Sequence, residues 1–109
     1  MATSTIHTIS DYVYDTSISG IYIRKTGRTV WLYIQTLDGQ IPENGIELPA
    51  NFIPPRRIIF IGKAYRNGSN VWNQGFVIAN GKIYALDADG NTHITVTWVE
   101  ASISYIVES

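Results

Sequence analysis

The stretch that decides the fold is the C-terminal segment NTHITVTWVEASISYIVES, residues 91–109. Across residues 92–107 apolar side chains alternate with small polar ones, the period typical of a half-buried β-strand. Because chain ends usually fray, we expect this strand to be hydrogen-bonded into a sheet and the module to end with it. Between Trp98 and Ile103 the apolar positions change from even to odd, which predicts a bulge or brief turn at residues 100–102.

The rest of the chain also has a sequence pattern typical of β-strands. β-Branched and aromatic residues occur in short runs separated by Gly, Asn, Asp and Pro, and no helical period of apolar residues is present. This pattern predicts an all-β protein, an antiparallel β-sandwich or barrel. With 109 residues, of which 45% are hydrophobic, we expect a single domain covering residues 1–109.

Composition argues against several classes of function. The net charge is −1 and the longest basic run is the pair Arg56 and Arg57, so no nucleic-acid partner is expected. No apolar stretch approaches the roughly 18 residues of a membrane span, so membrane insertion is not expected. The chain has no cysteine, and neither histidine has metal-ligand spacing to a second His or carboxylate. We therefore expect no bound metal and no cofactor.

Strands and turns are predicted along the whole chain. Strands are expected at residues 6–14, 20–25, 28–37 and 56–65, with three more within 75–98. Tight turns are expected around Gly27, at Asn80-Gly81 and at residues 88–91, where Gly, Asn and Asp tolerate positive φ. Residues 66–74 are expected to form a polar loop.

Two of the predicted strands are apolar on both faces. In strand 28–37, Trp31 and Tyr33 stand opposite Val30, Leu32 and Ile34, because successive side chains point to opposite sides. Strand 56–65 has the same property and is predicted to be buried. Such a strand either lies between two layers, which we favour, or is covered on its second face by another subunit.

The order of these signals over residues 25–107 resembles the C-terminal head domain of bacteriophage receptor-binding proteins and tail-fibre tips, notably those of phages of lactococci. The resemblance is carried by KTGRTVWLYI (25–34), IELPANFIPP (46–55), NGKIYA (80–85) and ASISYIV (101–107). Heads of this family have a G-x-x-V strand, a proline cluster that leads into the next strand, and a closing Tyr-Ile-Val strand.

The resemblance implies a fold, an assembly and a function. The fold is a β-sandwich or barrel of jelly-roll type, and the assembly is a homotrimer mounted with other proteins of the tail baseplate on the virion. The function is host adhesion through cell-wall saccharides of a Gram-positive bacterium. Family heads bind at or near subunit clefts with an aromatic residue and His, Asp and Arg side chains.

Catalysis has little support in the sequence. Asp87 and Asp89 are two positions apart, as a carboxylate pair on one strand face would be. The Asp89-Gly90 turn favours another interpretation, in which both carboxylates bond to their own backbone. No phosphate-binding loop or nucleophile elbow is present. We therefore expect a protein that is not an enzyme.

Saccharide binding fits the residues better. A sugar ring offers an apolar C–H face and a rim of hydroxyls, so its site needs an exposed aromatic side chain beside polar donors and acceptors. The segment 65–74 contains such a set, namely Tyr65, Arg66, Asn67, Asn70, Trp72, Asn73 and Gln74. The alternative is that Trp72 folds inward and caps an edge of the core.

A second polar group lies on the neighbouring predicted hairpin: Asp87, Asp89, Asn91 and His93. These residues either close the saccharide pocket or, as we favour, serve the turn itself. Three other functions compete with adhesion: a structural protein of the virion or baseplate, a carbohydrate-binding module of a bacterial enzyme, and a small polysaccharide hydrolase. The two-sided strands would supply a threefold interface through Trp31, Tyr33, Ile59 or Ile61.

Overall fold

The computed structural model describes residues 20–35 and 40–108 in full and residues 12–15 by their backbone. Ten strands form one antiparallel sheet: β1 Tyr12–Asp15, β2 Ile21–Thr26, β3 Thr29–Gln35, β4 Gln40–Ile41, β5 Ile46–Glu47, β6 Ile58–Arg66, β7 Ser69–Ala79, β8 Lys82–Leu86, β9 His93–Ile94 and β10 Val96–Ile106. One 3₁₀ turn, Ala50–Phe52, is the only helical element of the described ranges. None of these residues forms a helix long and apolar enough to span a membrane.

The sheet is continuous and open. Its strands follow the order β1-β2-β3-β10-β6-β7-β8-β5, with β4 paired to β10 and β9 paired to β8. The all-β antiparallel prediction is confirmed, whereas closure into a barrel is wrong because the two ends of this order do not pair. The long strand β10 explains the continuity, since one of its edges pairs with β3 and β4 and the other with β6.

The main core lies on one face of this sheet, and a smaller buried cluster of Val77, Tyr84 and Leu86 lies on the other face of β7 and β8. Buried apolar side chains from β2, β3, β10, β6, β7, β8 and β5 form one continuous cluster, so the sheet curls to enclose it. The segment 48–52 crosses the open side of the core. At its start the Leu48 amide donates to the Gly81 carbonyl over 2.9 Å. At its end the Asn51 carbonyl accepts a 3.0 Å hydrogen bond from the Lys25 ammonium. This segment therefore closes the core between opposite ends of the sheet.

The favoured interpretation, in which strand 28–37 lies between two layers of its own chain, is wrong, whereas cover by another subunit stays a prediction. In β3, Val30, Leu32 and Ile34 are buried, whereas Trp31 and Tyr33 are each 48% exposed. In β6, the side chains of Ile59 and Ile61 are more than half exposed, so residues 56–65 are not a buried strand. Alternation identifies the two faces of a strand, but it does not reveal whether a second layer covers the outer one.

The turn predictions are mostly confirmed. Asn80 and Gly81 both have positive φ, at 53° and 75°, as a type I′ hairpin turn requires. The polar loop predicted for residues 66–74 is wrong, because Asn67 and Gly68 form another two-residue turn with φ of 50° and 82°. Strands β6 and β7 flank this turn directly, so Trp72 lies within a strand.

The irregularity in the last strand lies earlier than predicted. The register of β10 against β6 shifts between Thr97 and Glu100 rather than at residues 100–102. Trp98 adopts φ of 52° at this point. Val96 and Val99 are both buried. The bulge therefore places the two residues between them, Thr97 and Trp98, on the outer face, where strict alternation would place only one. Of the first predicted strand, 6–14, only residues 12–14 are described, and they belong to β1.

Candidate functional site

Three exposed aromatic residues lie on adjacent strands of the outer face. Trp72 of β7 is 73% exposed, Trp98 of β10 is 55% exposed and Tyr65 of β6 is 39% exposed. We call these three residues the aromatic surface. Tyr65 pairs with Asn70 on β7 and with Thr97 on β10, so the two flanking strands place an amide and a hydroxyl on either side of Tyr65.

A bulge in β7 positions the Trp72 indole. Gly62 pairs with Gln74 and Ala64 with Val71, so the two residues Trp72 and Asn73 stand opposite Lys63 alone.

The Lys63 ammonium lies 5.0 Å from the centroid of the Trp72 ring, a cation–π distance, and 3.9 Å from the Glu100 carboxylate. The interpretation in which Trp72 folds inward is wrong, because the indole is held at the surface and remains accessible.

Arg66 and Asp87 form an ion pair at the end of this hairpin. The guanidinium Nη2 lies 3.1 Å from the Asp87 Oδ1, which also accepts a 2.8 Å hydrogen bond from the Ala88 amide. Arg66 Nη1 lies 3.5 Å from the Leu86 carbonyl, a long hydrogen bond. Both charged residues line a polar cleft of about 300 Å³ and an apolar groove of about 400 Å³.

His93 belongs to the polar cleft. It pairs with Leu86 at the edge of β8, and its imidazole stacks on the Tyr84 ring with 3.8 Å between centroids. The cleft therefore brings together three predicted site residues, Arg66, Asp87 and His93, from β6, the end of β8 and β9. This arrangement offers a cation, a carboxylate and an imidazole to a polar ligand.

Asp89 serves its own turn. Its Oδ1 accepts hydrogen bonds from the backbone amides of Asn91 and Thr92, and its Oδ2 accepts one from the Thr92 hydroxyl at 2.6 Å. The Thr92 hydroxyl, followed by the two amides, lowers the pKa of Asp89 to about 2. Because Asp87 bonds instead to Arg66, the two carboxylates have separate partners, and the turn interpretation is favoured for Asp89.

The predicted site residues fall into four groups. The outer face of the β6–β7 hairpin carries Trp72, Tyr65 and Asn70. The polar cleft is lined by Arg66, Asp87 and His93, and the apolar groove by Asn73. Asp89 forms hydrogen bonds within its own turn. Sequence reasoning missed Trp98 and Lys63. The change of parity beside Trp98 was the available signal, since a bulge changes the face to which a side chain points.

Within residues 20–35 and 40–108, no three His, Asp or Glu side chains are placed to share a metal ion. Comparison of the chain with protein-family models, with curated proteins and with solved structures found no match in any of the three. The family resemblance therefore depends on the four sequence motifs alone, and the candidate site depends on its geometry.

Proposed function

We propose that this protein is a non-catalytic saccharide-binding module that serves host adhesion at a phage tail. The observation that supports the proposal is the aromatic surface, in which Trp72, Tyr65 and Trp98 are exposed on three adjacent strands. Isolated exposed apolar residues are ordinary, whereas three adjacent aromatic rings are a feature of binding surfaces. The adhesion role, the virion location and the Gram-positive cell-wall ligand come from the family resemblance.

The chemistry of this surface suits a sugar ring. The indole rings offer dispersion contact to its C–H face, and the nearby polar groups suit its hydroxyls. Asn70 supplies an amide donor and acceptor, Lys63 supplies donors and Glu100 supplies an acceptor. The cleft at the end of the β6–β7 hairpin adds further polar groups from Arg66, Asp87 and His93.

We further propose a homotrimer of jelly-roll-type heads mounted on other baseplate proteins. One shallow saccharide site gives about millimolar affinity, on the order of −4 kcal/mol. Linking three sites raises avidity by roughly 10² to 10⁴ without new contacts. Tyr22, Trp31 and Tyr33, each 45–48% exposed on the outer face of β2 and β3, are the proposed subunit contact. Light scattering coupled to chromatography should give three chain masses, and Trp31→Ser should give one.

Calorimetric titration with soluble cell-wall saccharide tests the binding site, because it reports affinity per site. We expect Trp72→Ala and Trp98→Ala each to weaken binding at least tenfold, about 1.4 kcal/mol. Ile53→Ala is the control, since it removes an exposed apolar side chain outside both the aromatic surface and the proposed subunit contact. Unchanged affinity in both aromatic variants would place the site elsewhere.

The second candidate function is that of a structural protein of the virion or baseplate. The exposed apolar residues Tyr22, Trp31, Tyr33 and Ile106 favour it, because such a face is typical of protein contacts. A wild-type protein that binds no saccharide on a glycan array but assembles with baseplate proteins would support this function. A carbohydrate-binding module of a bacterial enzyme would bind saccharide equally well, and cell-adsorption competition with phage separates it from an adhesion head.

A further inference from the structure

Besides the cleft and the groove, the outer face has a cavity of about 470 Å³ beside the first residues of β6. This volume is within the range of roughly 300–1,000 Å³ that small-molecule sites occupy. Val77 and Ala79 alternate with the core residue Ile78, so they face the outer side. We call this space the basic cavity, and its lining includes Pro55, Arg56 and Arg57 before β6, residues 77–81 around the β7–β8 turn, and His93 of β9.

Arg56 and Arg57 give the basic cavity an unbalanced positive charge. Both residues are exposed, and neither forms an ion pair with any residue that the structure describes. No Asp or Glu is among the described residues that line this cavity. The polar cleft and the apolar groove differ, because each contains Asp87 beside Arg66. Over the whole chain nine acidic residues outnumber eight basic ones, so the positive excess is local to this cavity.

The two sides of the basic cavity are held in place by the fold. Pro54 is buried, and together with Pro55 it restricts the backbone directly before Arg56. On the other side, the His93 imidazole is fixed by its stacking on the Tyr84 ring, with 3.8 Å between centroids. Donors on a fixed backbone lose less conformational freedom when a ligand binds.

The chemistry of this lining suits an oxyanion. A guanidinium presents its N–H groups as a planar fork that matches two oxygens of a phosphate or a carboxylate. A cavity lined by charges of one sign concentrates the electrostatic field and attracts the opposite charge. Because the cavity is much larger than one such group, it also has space for a ring that bears the group.

We propose that the basic cavity binds the oxyanion group of an acidic saccharide, a phosphate or a carboxylate. Arg56 and Arg57 donate hydrogen bonds to the oxyanion, and the sugar ring that bears it lies on the side of His93. His93 also lines the polar cleft, so the basic cavity adjoins the candidate site. This inference rests on the proposed function and specifies the class of its ligand as a charged saccharide.

Titration with charged and neutral sugars tests the basic cavity. The probes are glucose 6-phosphate, glucuronate and glucose, and binding is followed by nuclear magnetic resonance because single sugars bind weakly. At low ionic strength we expect the wild type to bind at least one of the charged sugars at least tenfold more tightly than glucose, and added salt should reduce this gain. The tighter of the two charged sugars identifies the oxyanion as phosphate or carboxylate.

Substitution of the two arginines locates the site. Arg56→Gln and Arg57→Gln should each reduce the gain at least fivefold, and the double variant should remove it. Arg28→Gln is the matched control, because it removes the same charge from an exposed position in the β2–β3 turn. We expect all variants to unfold at the wild-type denaturant midpoint, since the arginine pair has no described ion-pair partner to lose.

Three results would overturn the inference. The first is an equal loss in Arg28→Gln, which would attribute the gain to net charge. The second is inorganic phosphate that binds as tightly as glucose 6-phosphate, which would indicate an adventitious ion only. The third is no preference for either charged sugar; if Trp72→Ala still weakens binding of cell-wall saccharide, the proposed function stands without the basic cavity.

The resonances of the arginine side chains give a direct readout. The Nε–H signals of Arg56 and Arg57 should shift on saturation with the preferred charged sugar and remain unchanged with glucose. Unchanged signals at saturation would contradict their role. Loss of charged-sugar binding in the double variant, together with unchanged cell-wall binding in Trp72→Ala and Trp98→Ala, would support the basic cavity and reject the aromatic surface.

Discussion

The hydroxyl of Tyr105 donates a buried 2.7 Å hydrogen bond to the carbonyl of Phe52, which lies 53 residues earlier in the chain. Tyr105 belongs to β10 and Phe52 to the 3₁₀ turn that crosses the open side of the core. Phe52 is itself fully buried. This contact therefore attaches the closing segment to the strand that joins the two halves of the sheet.

Replacing Tyr105 by Phe should destabilise the protein without changing its fold. The substitution keeps the ring and removes one buried hydrogen bond, which we expect to cost about 1–2 kcal/mol of unfolding free energy. Chemical denaturation followed by circular dichroism measures the loss. Tyr22→Phe is the matched control because its ring is exposed, and equal losses in both variants would contradict the role of the Phe52 contact.

Stability should also fall at alkaline pH because of Tyr105. Burial raises the pKa of Tyr105 above its ordinary value of 10.0. The neutral phenol therefore contributes its full stability below pH 10, and this contribution declines as the pH rises further because only the unfolded chain ionises. Denaturation between pH 9 and 11.5 should show a steeper loss in the wild type than in Tyr105→Phe. Parallel curves would contradict this prediction.

Substitution by Ala should destabilise the protein at Gly62 and have little effect at Gly75. A Cβ at Gly62 would overlap the Ala101 Cβ and lie 2.7 Å from the Glu100 carbonyl, so strands β6 and β10 would have to separate. We expect Gly62→Ala to cost about 1–3 kcal/mol. Gly75→Ala, with its nearest contact at 3.8 Å, should change the unfolding free energy by less than about 1 kcal/mol. Similar midpoints in urea for the two variants would disprove the close approach.

The titration of Asp89 should depend on Thr92. The hydrogen bonds in this turn lower the Asp89 pKa to about 2 from the ordinary 3.8, so their stabilising effect is complete above pH 3.8 and is lost as the pH falls through about 2. Thr92→Val removes the largest contribution, and the pKa should rise toward the ordinary value. Carboxyl carbon resonances measure it, with Thr29→Val as the control. An unchanged Asp89 pKa would contradict the assignment.

Local structural features, namely the buried face of a strand and the type of a turn, could be predicted from the sequence. The alternation of Val30, Leu32 and Ile34 predicts a strand with a buried face, and Asn80-Gly81 predicts a type I′ turn. Both are confirmed, because the side-chain period and the preference for positive φ act within a few residues of chain. The Asn67-Gly68 turn carried the same signal, and its assignment to a loop was an error of interpretation.

The exposure of outer-face side chains was not readable from the sequence. The sequence around Trp31 and Ile61 does not indicate whether their apolar face is covered or exposed. That depends on which strands pair and on whether a second layer exists. The ends of the strand order do not meet, and the closing segment covers only the inner face. The exposed position of Trp72 follows from this arrangement and from the Lys63 opposite it.

By itself, the sequence determined the strand content, the inner face and most of the turns, because these depend on propensities of neighbouring residues. Only the tertiary structure decided that Trp98 stands beside Tyr65 on the outer face and that the amide oxygen of Gln74 is buried with no hydrogen bond from any described residue. Both depend on cross-strand register, and register between segments remote in sequence is set by packing and bulges of the whole sheet.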